Sequence, residues 1–407
     1  MKNRKAAVGF IFITLLLDVI GLGIIIPVIP ALIQELTGGS ISEASRYGGW
    51  LIASYALVQF LFAPIVGALS DKYGRRPILL LSLLGFGLDY LVLAVAPTIG
   101  WLFLARIIAG VFGASFTTGA AYIADVSSAE KRAQNFGLLG AAFGLGFIIG
   151  PVTGGLLGEI GPRVPFYAAA LVTFLNLTYG YFVLPESLTK ENRREFEWSR
   201  ANPLGALLAL KRYPSVAGLI GALTFIYLAS HAIQGTWTYF SMEKFNWSES
   251  MVGYSLGLVG IMSALVQGLL IRVIIPKIGE YNTMIIGIIF NICGCLLFSM
   301  ASEGWMLLCF IIPYSLGGIA GPAIQGILSN QIPANEQGQL QGALTSMMAA
   351  TGIIGPLMMT SIFAYFTAEN APVYFPGAPF VTGAVLVAIC LFLILRKGSK
   401  YTTGNPI

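Results

Sequence analysis

Stretches of about 20 mostly apolar residues recur along this chain, and a stretch of that length is what an α-helix needs to cross the hydrocarbon core of a bilayer. The sequence predicts twelve such spans, at residues 8–34, 47–70, 77–97, 101–125, 134–159, 165–184, 215–241, 250–275, 282–301, 304–329, 338–366 and 375–395. Of the 407 residues 56% are hydrophobic and 10% charged, against roughly 25% charged in a soluble domain. The interruptions are short and polar except for the charged stretch 186–213, which divides the spans six and six. The expected fold class is therefore an all-α membrane protein of twelve transmembrane helices. Its expected parts are an N-terminal six-helix bundle at 1–185, a cytoplasmic linker at 186–213 and a C-terminal six-helix bundle at 214–407. The basic start, Lys2 to Lys5, followed by an apolar run has the look of a signal peptide. The run continues to Leu32 with no small-residue cleavage site after a short core, so it is read as a first membrane helix.

Lysine and arginine set the expected orientation, because cytoplasmic loops retain them. With the N-terminus inside, nineteen of the 23 basic residues fall on the cytoplasmic side, among them Lys72, Arg75, Arg76, Lys131, Arg200, Lys211, Arg212, Lys397 and Lys400. Three fall outside, Arg46, Arg163 and Lys244, and Arg106 lies within a span. Both termini are thus expected in the cytoplasm. The halves also repeat in register: Gly74 matches Gly279, Pro151 matches Pro356, and Gly100-Trp101 matches Gly304-Trp305. Parallel repeats related by an axis along the membrane normal are a transporter architecture, with the substrate held near midplane.

The single histidine and the net charge of +5 exclude a histidine-rich metal site and a nucleic-acid surface. Cys293, Cys295, Cys309 and Cys390 all lie in apolar runs. Cys293 and Cys295, two apart on a helix, point to different faces and read as small buried packing residues rather than a redox or metal pair. There is no phosphate loop, nucleophile–base pair or metal-ligand cluster, so no enzyme is expected.

Residues 67–76, Gly-Ala-Leu-Ser-Asp-Lys-Tyr-Gly-Arg-Arg, join the second and third spans. Here Gly67 would permit close helix approach and Gly74 a tight turn. Asp71 suits a positive helix N-terminus, and Arg75 suits an acid on a neighbouring helix, for which Asp125 is the candidate. The plainer reading is that Lys72, Arg75 and Arg76 only enforce topology. In the fifth span, Gly146, Gly150, Gly154 and Gly158 recur every four residues beside Gly155, forming a groove for helix contact, and Pro151 bends the helix. Ordinary small-residue packing is the alternative there.

Three charges lie deep in the first half: Asp18, Asp89 and Arg106. Each costs about 2.5–3.5 kcal/mol at mid-membrane on insertion scales, so they must be paired, neutralised or used. A carboxylic acid in such surroundings takes up and yields a proton, whereas a static pair of Arg106 with either acid is the structural alternative. The second half offers His231 and neutral polar groups, including Ser230, Gln234, Thr236, Ser263, Gln267, Asn291, Gln325 and Gln341. His231 is read either as a second proton carrier or as a hydrogen-bonded structural group.

These motifs resemble those of the major facilitator superfamily. The 67–76 loop, the first-span string from Gly21 to Pro30, and Ala105-Arg106-Ile-Ile-Ala-Gly110 match its signatures. Leu145 to Gly155 is similar to the antiporter signature of the drug:proton antiporters. Ser82 to Tyr90, Ser54 to Gln59, Gly140 to Gly146, Met251 to Ser255 and Glu336 to Gly342 are similar to segments of the tetracycline:proton antiporters. The resemblance runs from the first span to the eleventh. It implies a major facilitator fold, and a proton-coupled exporter of tetracycline-like or other amphipathic drugs acting by alternating access. It also implies that Asp71, Arg75 and Asp125 latch the cytoplasmic gate, and Gln59, Gln267 and Gln325 match intramembrane polar positions of the exporters; from residue type alone, Gln59, Gln234, Ser263, Gln267, Asn291 and Gln325 are the expected substrate-site groups. Two positions depart: the exporters' eighth-span histidine is Ser263 here and their ninth-span aspartate is Asn291, which bears on the substrate.

No cofactor is expected beyond the proton as coupling ion, with a divalent metal carried by the substrate left open. The expected partners are a small amphipathic substrate, protons and the lipid of a bacterial inner membrane, with the chain a monomer. The competing expectations are a facilitator or importer of a small metabolite such as an organic anion, and a non-transporting receptor.

Overall fold

A computed structural model describes residues 2–113, 115–127, 132–196, 217–331 and 337–396, with the side chains of 2–7 and a few others near the gaps excepted. Among them the secondary structure is helical, with no strand. The helices are α1 (Lys2–Ile24), α2 (Ile29–Thr37), α3 (Ile41–Tyr73), α4 (Arg75–Val95), α5 (Ile99–Phe112), α6 (Ser115–Val126), α7 (Arg132–Gly158) and α8 (Val164–Val183), then α9 (Ala217–Phe245), α10 (Glu249–Leu265), α11 (Ile271–Met300), α12 (Gly304–Leu316), α13 (Ala320–Asn330), α14 (Gln337–Thr367) and α15 (Ala378–Arg396).

Ten helical stretches are long and apolar enough to cross a bilayer, and α1 with α2, bent by 45°, makes an eleventh. One of the ten, Glu249–Met300, has 52 residues, about 78 Å of helix against a hydrocarbon core of about 30 Å. It breaks at Gly279, whose φ of 78° and ψ of 165° are not helical. Splitting it there gives twelve spans, the number expected. Boundaries differ modestly. The second span starts at Ile41 rather than 47, because Ser40 and Glu43 form a reciprocal capping box: each side chain accepts from the other's backbone N–H at 3.3 Å. Gly74 ends α3 with φ 109°, so the turn expected there is present and its counterpart is Gly279.

Two compact units emerge: Met1–Gly39, Ser54–Pro203 and Ser248–Gly257 form the first, and Ser40–Ala53, Leu204–Trp247 and Leu258–Ile407 the second. In the first, α1 packs along α7 and α4 along α8. The glycine row makes the α1–α7 seam. A methyl on Gly150 would lie 2.8 Å from both the Gly23 Cα and the Ile20 carbonyl, and one on Gly154 would run into the Ile24 backbone. Gly155 and Pro151 line a second contact, against Glu249 and Gly253. In the second unit α9 packs on α14 and α15, and α11 on α12 and α15. Leu219, Met284, Ile324 and Leu344 are among its buried core residues.

Gly67 does not show the close approach expected of it: among the described residues nothing lies within 4 Å of a Cβ placed there. Its carbonyl instead accepts from Ser70 Oγ at 2.7 Å. The cysteines are free, and Cys293 is exposed while Cys295 is buried. The expectation of two buried packing residues therefore holds for Cys295 alone, since a two-residue step carries the other to the opposite helix face. The basic residues Lys131, Arg200, Lys211, Arg212, Lys397 and Lys400, and the linker beyond 196, lie outside the described residues.

Because Gly154 meets backbone, which cannot step aside, Gly154→Val should destabilise the protein by at least the roughly 1–3 kcal/mol typical of overpacking. Gly144→Val, on the same helix with nothing within 4 Å among the described residues, should leave thermal unfolding in detergent nearly unchanged. Equal midpoints for the two variants would contradict the seam.

Candidate functional site

The first locus lies inside the first unit. Arg106 on α5 donates through Nη2 to both carboxylate oxygens of Asp89 on α4, at 2.8 and 2.6 Å. Both residues are buried, Asp89 at 1% exposure. Asp89, one of the two acids considered for Arg106, stands at ion-pair distance. Asp18 on α1 is also buried. The charges of Asp18, Asp89 and Arg106 all act on the hydroxyls of Tyr55 and Tyr90, which places five polar side chains from four spans together. Tyr90 lies against Gly21, where a methyl would come within 3.1 Å of its hydroxyl. Gln59 on α3 donates to Tyr55 Oη at 3.0 Å and to the Gly113 carbonyl at 2.9 Å, at the point where α5 ends. Its amide thus serves a backbone acceptor at a helix break, which has to be satisfied inside a membrane.

The second locus is at the end of the same unit that carries the 67–76 loop. Arg75 reaches Asp71 at 2.6 Å and Asp125 at 3.2 Å, and donates to Ser70 Oγ at 2.6 Å. Asp125 also accepts from Ser187 Oγ at 3.0 Å. Sequence reasoning missed Glu186. Its carboxylate accepts from the backbone N–H groups of Arg75 and Arg76, at 2.8 and 3.2 Å, and so caps the start of α4. It also takes the N–H groups of Ser187 and Leu188. Arg76 donates to the Tyr181 carbonyl at 2.6 Å. The available signal was Pro185-Glu186, an acid following the residue that stops the sixth span. Arg163, read only as a topology marker, ties Glu35 at 2.9 Å to the Ala94 and Ala96 carbonyls at 2.8 Å each.

The third locus is a cavity of about 460 Å³ within the second unit, in the size range of small-molecule sites. Gln234, Gln267, Asn291 and His231 line it, together with Tyr227, Ser230, Met348 and Thr351. Its walls use irregular backbone. Gln267 belongs to a π-helical turn at Val266–Leu270, and Gly317 and Gly318 to a 3₁₀ turn at Gly317–Ile319. Irregular backbone at membrane depth is tolerated where it lines a cavity. A methyl on Gly317 would meet the Asn291 backbone at 2.9–3.0 Å, so that glycine lets α11 approach. Ser263 on α10 and Gln325 on α13 are not among the lining residues. The Gln341 side chain lies outside the described residues.

The sequence profile of the Major Facilitator Superfamily matches residues 11–356 and again 242–406. This chain belongs to the major facilitator superfamily. It is 40% identical over 399 residues to the class C tetracycline resistance protein of Escherichia coli, covering 98% of each chain. It is 38% identical to the class H protein of Pasteurella multocida, again over 98% of each. The crystal structure of a D-xylose–proton symporter superposes with a TM-score of 0.76 at 17% identity, covering 99% of each chain, which establishes likeness of fold. The chain is accordingly a multi-pass membrane transporter with the major facilitator fold, and not an enzyme.

Removing one member of a buried ion pair strands the other, at a typical cost of about 3–5 kcal/mol. Asp89→Asn is therefore expected to lower thermal stability and membrane yield sharply. The double variant Asp89→Asn/Arg106→Gln should recover most of that loss. Additive losses in the double variant would show that the two side chains act independently.

Proposed function

We propose that this transporter exports tetracycline-like or other amphipathic compounds in exchange for protons across a bacterial inner membrane. The observation that carries the reading is the full-length similarity to the class C and class H tetracycline resistance proteins. It is joined by the antiporter-type glycine row and by a buried charge cluster of the kind such exchange requires. The proposed organisation is two six-helix bundles, 1–185 and 214–407, joined by a cytoplasmic linker at 186–213, with both termini cytoplasmic.

In this reading the three loci divide the work. Asp18 is the proton carrier. The Asp89–Arg106 pair is its fixed electrostatic partner. Alternating wetting then loads and unloads the proton. Asp71, Arg75, Arg76 and Asp125, with the Gly67 and Gly74 loop, form the cytoplasmic latch, held in register by Glu186. Gly146, Gly150, Pro151, Gly154 and Gly155 set the seam along which α7 moves or holds. Gln234, Gln267 and Asn291 supply polar anchors for the substrate; Gln59, Ser263 and Gln325 are secondary candidates. No resident cofactor enters the cycle, and a divalent ion would travel only as part of the cargo.

The test is transport in proteoliposomes under an imposed pH gradient. Wild type is expected to accumulate tetracycline in acid-interior vesicles, and Asp18→Asn to lose gradient-driven accumulation by about tenfold or more while still binding the drug. Accumulation that ignores the gradient would make the protein a facilitator. Coupling that survives Asp18→Asn but fails in His231→Gln would move the carrier to the histidine.

A further inference from the structure

His231 occupies an unusual place for the chain's single histidine. It lines the cavity of the second unit beside Gln234, Gln267, Asn291 and Thr351. Its ring also lies against Gly355 on α14, where a methyl would sit 2.6 Å from Cγ and closer still to Cδ2. Gly355 directly precedes Pro356, as Gly150 precedes Pro151 in the first unit. The two glycines are used differently. Gly150 lets the backbones of α7 and α1 touch, with Gly23 Cα at 2.8 Å from a methyl placed there. Gly355 instead makes room for an imidazole at a cavity wall. Among the described residues no hydrogen bond secures the ring nitrogens of His231, and a polar group in such a place is normally given a partner.

The rest of the lining says what kind of partner fits. Ile226, Tyr227, Ile288, Met348 and Val387 offer apolar surface. Among the described residues the polar groups are one imidazole, three carboxamides and hydroxyls, with no carboxylate in the lining. A permanent cation meets no counter-charge there, whereas oxygen acceptors meet several N–H donors. We propose that His231 is the specificity-determining contact of this cavity, donating a ring N–H to a carbonyl, enolate or carboxylate oxygen of a non-cationic amphipath. This rests on the export reading only in taking the cavity to receive the transported compound.

Binding to the purified full-length protein tests it, with tetracycline and tetraphenylphosphonium as probes and EDTA present. Wild type should hold tetracycline at least about tenfold more tightly than the phosphonium ion. His231→Leu should weaken tetracycline by about tenfold and leave the phosphonium ion within about twofold. His231→Gln, which keeps an N–H donor, should stay within about threefold of wild type for tetracycline. Equal affinity of wild type for the two probes, or no affinity for either, would overturn the proposal. So would a His231→Leu variant that keeps its tetracycline affinity or weakens both probes alike. Loss of gradient-driven transport with this binding pattern intact would instead fault the export reading and leave the assignment of His231 standing.

Discussion

Asp89 and Arg106 meet on neighbouring helices, with one Nη2 between two carboxylate oxygens, in a region where neither charge is tolerable alone. The pair fixes α4 against α5, and the arrangement around it follows. Gly21 makes space for Tyr90, and Gln59 binds both the Tyr55 hydroxyl and the Gly113 carbonyl. Asp18 joins this cluster from α1, the helix whose own position is set by backbone contact with the glycine row of α7.

The repeat gives the two halves one plan and different uses for it. Gly74 and Gly279 both take positive φ at the same point of the repeat. After Gly74 comes an arginine that binds Asp71 and Asp125, whereas after Gly279 comes Glu280, whose carboxylate lies over Gly326. Among the described residues this ion-pair cluster is therefore built on the loop of the first half. Gly150 and Gly355 diverge in the same way, one admitting a backbone and the other an imidazole. The first half carries fixed charge and the second a neutral, donor-rich cavity, which in the proposed cycle separates proton chemistry from recognition.

Much of this was legible in the sequence, because bilayer thickness fixes span length and buried charge is too costly to be incidental. The twelve spans, the Arg75–Asp125 contact and the pairing of Arg106 could all be expected from residue type and position. What escaped reading depends on partners brought from far along the chain. Glu186 caps α4 from 111 residues away, and Gln59 answers a carbonyl 54 residues away. The early start of α3 was hidden because a capping box is polar and reads as loop. The π-helical turn that presents Gln267 leaves no mark on periodicity, and the separation of Ser263 and Gln325 from the cavity depends on helix rotation that apolar runs do not fix.

The central claim is that the buried cluster around Asp18 exchanges a proton for substrate. Its most direct measurement is proton release on ligand binding, followed with an indicator dye in weakly buffered detergent solution. The account predicts that tetracycline displaces about one proton per wild-type protein, within the linkage expected of one titrating group, and none from Asp18→Asn despite retained binding. Binding by wild type without proton release, or the same release from Asp18→Asn, would contradict it.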